Sequence, residues 1–84
     1  LLAFVFVSID GTENIEGFRN AIVRHDCVLE CHHVAGTYDY LLKVVMEDMH
    51  VLESFLSKTL KKIKGVSSSN TIIVLGTLKE EFNF

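Results

Sequence analysis

The sequence is short of cysteine, of positive charge and of long apolar runs. Its 84 residues include two cysteines, too few for a disulfide framework, so we expect a reducing, cytoplasmic setting. Lys and Arg number 8 against 11 Asp and Glu, a balance that disfavours direct DNA binding by this segment. No apolar run approaches the roughly 20 residues that cross a bilayer, so we expect no membrane association.

The sequence also lacks the usual marks of a nucleotide, metal or catalytic site. Its five glycines stand apart from one another, so no glycine-rich phosphate loop is present. Residue types that bind zinc do occur together, but on an extended chain their spacing keeps them from converging. These residues are His25, Cys27, Cys31, His32 and His33. Because no strained nucleophile turn or oxyanion hole is indicated either, we predict no metal, no cofactor and no catalytic residue.

What the chain does have is a regular succession of apolar segments, with 49% hydrophobic residues overall. The run Leu1–Ile9 is apolar on both alternating faces, which is typical of a strand covered on both sides. Acidic residues followed by an apolar stripe predict a helix over Glu13–Arg24. Two β-prone runs, Val28–Ala35 and Tyr38–Met46, flank Gly36 in the pattern of a hairpin.

The second half of the chain repeats the pattern of helix and strand. Asp48 is the predicted N-cap of a second helix, which we expect to end by Gly65. The run Thr71–Leu78 predicts a last strand, in which Gly76 suggests a bulge. The order β-α-β-β-α-β predicts an α+β fold of the ferredoxin-like type, with a four-stranded antiparallel sheet and both helices on one face.

Two helices cover only one face of such a sheet, yet the first and third predicted strands are apolar on both faces. The first strand alternates Val5 and Val7 with Phe4 and Phe6. An exposed apolar sheet of several hundred Å² is usually a docking surface, so we predict a homodimer through the helix-free face. The alternative is a covering element that precedes Leu1.

One stretch indicates a ligand site. Gly36 at the hairpin can adopt a positive φ and leave backbone N–H groups uncovered, while Asp39 supplies a carboxylate three residues later. Together they can hold a zwitterion, with the aspartate accepting from an ammonium group. The polar segment Ser67–Thr71 adds small donors between the second helix and the last strand. Ordinary turn chemistry is the alternative for both segments.

At these residues the sequence resembles the effector-binding domain of the Lrp/AsnC family, the feast/famine transcription regulators. The resemblance runs through VLECHHVAGTYDYLLKVV, the step Glu47–Asp48, KKIKGV and the strand IIVL, and so covers nearly the whole chain. Its most specific part is Gly36 followed by Asp39 within Tyr-Asp-Tyr-Leu-Leu.

The resemblance implies a single RAM-type domain over residues 1–84, which dimerises through its sheets and frequently assembles into a tetramer of dimers, an octamer. It implies a free amino acid bound in clefts between dimers. The implied ligand-binding residues are His32, Gly36, Thr37, Tyr38, Asp39, Ser67, Ser68, Ser69, Asn70 and Thr71. The family's helix-turn-helix domain, N-terminal to this one, is expected to lie outside this chain, so DNA is contacted only indirectly.

We therefore predict a cytoplasmic, non-enzymatic domain that senses an amino acid or a similar small metabolite, either as part of a regulator or as a stand-alone protein. One alternative is a small dimeric α+β barrel enzyme, which needs a deep pocket between sheet and helices. Another is an ACT-like regulatory domain, which has the same strand order but joins its subunits by edge pairing or helix contacts.

Overall fold

The computed structural model describes residues 1–81, and residues 82–84, the end of the predicted domain, lie outside the described part. Four strands form one antiparallel sheet in the spatial order β2-β3-β1-β4. The strands are β1 (Leu2–Ile9), β2 (Val28–His33), β3 (Tyr40–Val45) and β4 (Val66–Ile73). The predicted ferredoxin-like order of elements is confirmed.

Two helices connect the strands. Helix α1 (Ile15–Ile22) follows a short 3₁₀ turn over Thr12–Asn14, and helix α2 (Met49–Ser54) continues into a π-helical segment over Phe55–Leu60. The predicted N-cap is confirmed, because Oδ1 of Asp48 accepts a hydrogen bond of 2.9 Å from the backbone N–H of Val51. No helix within residues 1–81 is long and apolar enough to cross a membrane.

The core lies between the sheet and the two helices. Both helices pack on the same face of the sheet. Alternate residues of the two central strands are fully buried there, as the period of two in a strand requires. The helices contribute Phe18, Ile22, Leu52 and Leu60, which are also fully buried. Seven aliphatic or aromatic side chains of β1 and β3 belong to this core or border it: Ala3, Val5, Val7, Ile9, Tyr40, Leu42 and Val44.

The other face of the sheet is apolar and uncovered within residues 1–81. We call it the open face. Phe4 and Phe6 of β1 are only half-buried there, and Val45 and Ile72 are 43% and 51% exposed. Because Phe4 pairs with Ile72 and Phe6 pairs with Leu41 across the sheet, apolar side chains are contiguous from β4 over β1 to β3.

The last strand begins five residues earlier than predicted. β4 spans Val66–Ile73, so the expectation of a loop over Ser67–Asn70 and of a strand reaching Leu78 is wrong. Serine and asparagine favour turns by themselves. Here their backbones pair with β1, and this tertiary pairing determines that the segment is a strand. The strand ends because its partner ends: Val74 N–H donates to Leu2 at the start of β1, and Gly76 lies beyond the sheet.

Candidate functional site

The predicted hairpin loop is longer than a tight turn and is fastened at its ends. It spans residues 34–39, since β2 ends at His33 and β3 begins at Tyr40. The backbone N–H of Val34 donates to the carbonyl of Asp39 at 2.9 Å, and the N–H of Asp39 donates to the carbonyl of Val7 at 3.0 Å. These bonds hold the loop against the end of β1, so its residues project from a fixed base.

The loop borders a pocket of about 360 Å³ on the open face, here called the Gly36 pocket. Gly36 has φ +148°, a conformation that side-chain-bearing residues rarely adopt, and no atom lies within 4 Å of the place a Cβ would occupy. The backbone of the loop is therefore bare toward the pocket. Four predicted site residues line it together with Phe6: Gly36, Thr37, Tyr38 and Asn70. The ring of Tyr38 packs on that of Phe6, with centroids 5.5 Å apart.

Asp39 lies on the other side of the loop. It lines a separate pocket of about 220 Å³ with Thr12, Ile15, His33 and Tyr40 on the helix side of the sheet. Its Oδ2 atom accepts a hydrogen bond of 2.8 Å from the backbone N–H of Ile9. Its Oδ1 atom has no protein partner within residues 1–81. The structure therefore gives Asp39 one oxygen that fastens the loop and one that is available to a ligand.

His32 sits on the open face in a charged group at the edge strand β2. Its Nε2 lies 2.9 Å from Oε1 of Glu30, and Lys43 Nζ lies 3.5 Å from the other carboxylate oxygen. The hydrogen bond from His32, and then the charge of Lys43, lower the pKa of the exposed Glu30 carboxyl below its ordinary value. His32 is thus near the apolar surface but does not line the Gly36 pocket.

The polar segment of β4 divides between the two faces of the sheet. Ser69 pairs with Val7 and Thr71 with Val5, so both lie on the helix face, whereas Ser68 and Asn70 lie on the open face. Ser67 Oγ donates to the carbonyl of Ser8 at 3.2 Å. Of the five predicted residues in this segment, Asn70 alone lines the Gly36 pocket.

The cysteines and histidines do not form a metal site within the part of the chain that the structure describes. Both cysteines are free and half-buried, and burial raises the pKa of each thiol.

Two residues at or beside these pockets were absent from the predicted site. Phe6 lines the Gly36 pocket, and Arg19 of α1 contacts His33 and Tyr40, which line the pocket of Asp39. The alternation in β1 that predicted the open face also places Phe6 on it, so the position of Phe6 could be predicted from the sequence. The position of Arg19 depends on a contact with Tyr40, 21 residues away, which no local pattern reveals.

Comparison with known proteins gives a consistent result. A family model described as the Lrp/AsnC ligand binding domain matches residues 2–84. The leucine-responsive regulatory protein of Escherichia coli K12 is 34% identical over 82 residues, which cover 95% of this chain and 50% of that protein. The chain thus spans about half the length of the curated relatives it matches.

Solved structures agree with the fold. A transcriptional regulator of Neisseria meningitidis in complex with L-Met superimposes with a TM-score of 0.91 at 32% identity, over 95% of this chain and 53% of that one. A chain from Thermus thermophilus gives a TM-score of 0.84 at 22% identity, over 94% of this chain and 98% of that one. At that identity the second match bears on the fold alone.

Proposed function

Because the chain belongs to the family of Lrp/AsnC ligand-binding domains, we propose that it binds a free amino acid and couples its occupancy to oligomeric assembly. The family comprises regulators and not enzymes, in agreement with the predicted absence of catalysis and against the alternative of a small barrel enzyme. Support for an amino acid as ligand comes from the Neisseria relative, which was solved with L-Met.

The observation that carries the proposal is the loop over residues 34–39. It offers bare backbone at Gly36 on one side and a carboxylate at Asp39 on the other. Hydrogen bonds join Asp39 to β1, and the bond between Val34 and Asp39 closes the base of the loop. An amino acid has a carboxylate, which needs hydrogen-bond donors, and an ammonium group, which needs an acceptor. Backbone N–H groups or the Asn70 amide suit its carboxylate, and Oδ1 of Asp39 suits its ammonium group.

The two chemistries face different pockets of one chain, so a single copy does not enclose a ligand. We propose that the site is completed where copies meet, which makes ligand affinity depend on assembly. A ligand that binds one assembly better than another shifts the equilibrium toward the first by its difference in affinity. Occupancy is then converted into a change of oligomeric state or geometry without any enzymatic step.

Dimerisation through the open face is supported by the apolar side chains that this face leaves exposed. Val45 and Ile72 are 43% and 51% exposed there, and Phe4 and Phe6 are only half-buried. A second copy that covers the open face removes these side chains from water.

The remaining parts of the assignment are proposals, supported by the greater length of the curated relatives, of which this chain covers about half. We propose that the domain occurs in a cytoplasmic regulator whose helix-turn-helix domain contacts DNA, or as a stand-alone version that influences such a regulator. The acidic balance of the chain suits both arrangements, because neither requires this domain to hold phosphates itself. Assembly beyond the dimer, to a tetramer of dimers, is part of the same proposal.

Calorimetric titration with each of the twenty amino acids tests the proposal. We expect saturable binding of at least one of them, with Asp39→Asn weakening it because the neutral amide no longer attracts the ammonium group. The amide oxygen can still accept from Ile9 N–H, so this variant keeps the loop fastened. Asp26→Asn, an equal change of charge at an exposed position outside the loop, is the matched control. No heat with any amino acid at millimolar concentration, or equal binding by Asp39→Asn and the wild type, contradicts the proposal.

A further inference from the structure

Arg19 is held in a fixed orientation by side chains of two strands. Its Nε donates to the hydroxyl of Tyr40 at 2.8 Å, and its Nη2 lies 3.3 Å from Nδ1 of His33. Since a guanidinium only donates, Nδ1 of His33 is the acceptor. The Tyr40 ring is buried between Phe18 and His33, with ring centroids 4.9 Å away on both sides. The arginine is thus anchored to an aromatic stack whose central ring, Tyr40, is buried.

The charge of this arginine is not neutralised within residues 1–81. Its two side-chain hydrogen bonds go to a hydroxyl and an imidazole, and none of the ion pairs in that part of the chain includes it. Glu16, one turn earlier on α1, makes no ion pair with it. The remaining guanidinium N–H groups are free to donate, and so is the proton of the Tyr40 hydroxyl, which acts as acceptor toward Arg19.

These donors border a pocket of about 290 Å³, here called the Arg19 pocket, whose other walls are apolar or weakly polar. It is lined by Arg19, Val23, Cys31, His33 and Tyr40. A preorganised guanidinium matches the planar fork of a carboxylate, which it can bind through two parallel hydrogen bonds. Val23 and the thiol of Cys31 offer an aliphatic group a place beside that fork.

We propose that the Arg19 pocket binds a small monocarboxylate with a short aliphatic group, such as a fatty or keto acid of a few carbons. The ligand needs no ammonium group, because the pocket contains no carboxylate to receive one. The proposed site uses neither Gly36 nor Asp39, so its recognition of a carboxylate does not rest on the proposed amino-acid site. It shares His33 and Tyr40 with the pocket that Asp39 lines, so its ligand lies beside the end of the loop over residues 34–39.

Nuclear magnetic resonance titration of the ¹⁵N-labelled chain with sodium butyrate tests this site. We expect saturable shifts of the Arg19 side-chain Nε–H signal and of the backbone amides of Cys31 and His33. Butyramide, the uncharged isostere, is expected to leave these signals in place. Arg19→Gln should weaken butyrate binding by about tenfold or more, since it removes a charged bidentate donor. Arg24→Gln, the same substitution at an exposed position near the end of α1, should leave binding unchanged.

The spectra also report whether each variant is folded, so a loss of binding is separated from unfolding. Arg19→Lys keeps the charge but not the two parallel N–H donors of the guanidinium, and we expect it to bind butyrate more weakly than the wild type. Equal shifts with butyramide, equal weakening by the two glutamine variants, or binding of inorganic phosphate as tight as that of butyrate would overturn the proposal. So would a change in sedimentation coefficient on Arg19→Gln alone, which would assign the guanidinium to a carboxylate of another copy.

Discussion

Oδ2 of Asp39 and the backbone N–H of Ile9 form a hydrogen bond of 2.8 Å across 30 residues of sequence. It joins the end of the loop over residues 34–39 to the end of β1, a central strand that also contributes to the open face. One carboxylate therefore connects the proposed ligand site with the sheet through which copies are expected to associate.

The structural role of Asp39 is separable from its proposed role toward a ligand. Asp39→Ala should lower the free energy of unfolding by about 1–2 kcal/mol, because the half-buried N–H of Ile9 loses its acceptor. Asp39→Asn should cost clearly less, because its amide oxygen still accepts. Urea unfolding curves measure both, with Asp26→Ala as an exposed control. Equal losses for the alanine and asparagine variants would show that the hydrogen bond does not hold the loop.

Two glycines should respond to alanine in opposite directions. At Gly17 in α1 nothing lies within 4 Å of a new Cβ, so Gly17→Ala should stabilise the domain by about 0.5–1 kcal/mol through helix propensity. Gly65 has φ +98°, and its new Cβ would lie 2.5 Å from Cβ of Asn14. Gly65→Ala should therefore destabilise the domain by about 1–3 kcal/mol. Thermal melts of the two variants give the signs directly, and a common sign would be inconsistent with this geometry.

The carboxyl of Glu30 should titrate below its ordinary pKa because of the hydrogen bond from His32. A carboxylate whose pKa is lowered in the folded state stabilises the fold at pH values above its ordinary pKa. This contribution is lost as the pH falls through the folded-state pKa. His32→Ala should raise the pKa of Glu30 toward the ordinary value, and Lys43→Gln should raise it less. Carbon-detected titration of the carboxyl group measures both shifts. An unchanged pKa in His32→Ala would rule out the hydrogen bond as its main cause.

The reactivity of Cys31 reports on the position of Arg19. Burial raises the pKa of the Cys31 thiol, and the charge of Arg19 partly offsets this rise. Arg19→Gln should raise the pKa further and slow alkylation of Cys31 by iodoacetamide at mildly alkaline pH, because the thiolate is the reactive form. Arg24→Gln should not change the rate. Peptide mass spectrometry separates this residue from Cys27, and equal rates in all three proteins would place the guanidinium away from the thiol.

Patterns that depend on the local sequence predicted much of the fold. The two-sided apolar alternation of β1 predicted a strand that is covered on both sides, and the structure places it in the centre of the sheet. Asp48 marked the start of α2 because its cap bond spans three residues. The start of β4 was missed because Ser67–Asn70 favour turns and are held extended only by pairing with β1. The π-helical segment after α2 also left no periodic signal that distinguishes it from an α-helix.

The candidate site was predicted less completely than the fold. The sequence placed Gly36 and Asp39 three residues apart, but it did not reveal that they serve pockets on opposite sides of the loop. That separation results from the hydrogen bond between Asp39 and Ile9, a contact distant in sequence. The segment Ser67–Thr71 was expected to act as one patch, and as a strand it alternates between the two faces.

Sedimentation velocity at micromolar concentration tests most directly whether the open face is where two copies join. We expect the wild-type chain to sediment as a dimer or a larger assembly. Phe4→Arg, which introduces a charge on the open face, should dissociate it, whereas Leu75→Arg, at a fully exposed position beyond the sheet, should not. A wild-type chain that sediments as a folded monomer across this range would contradict the assignment.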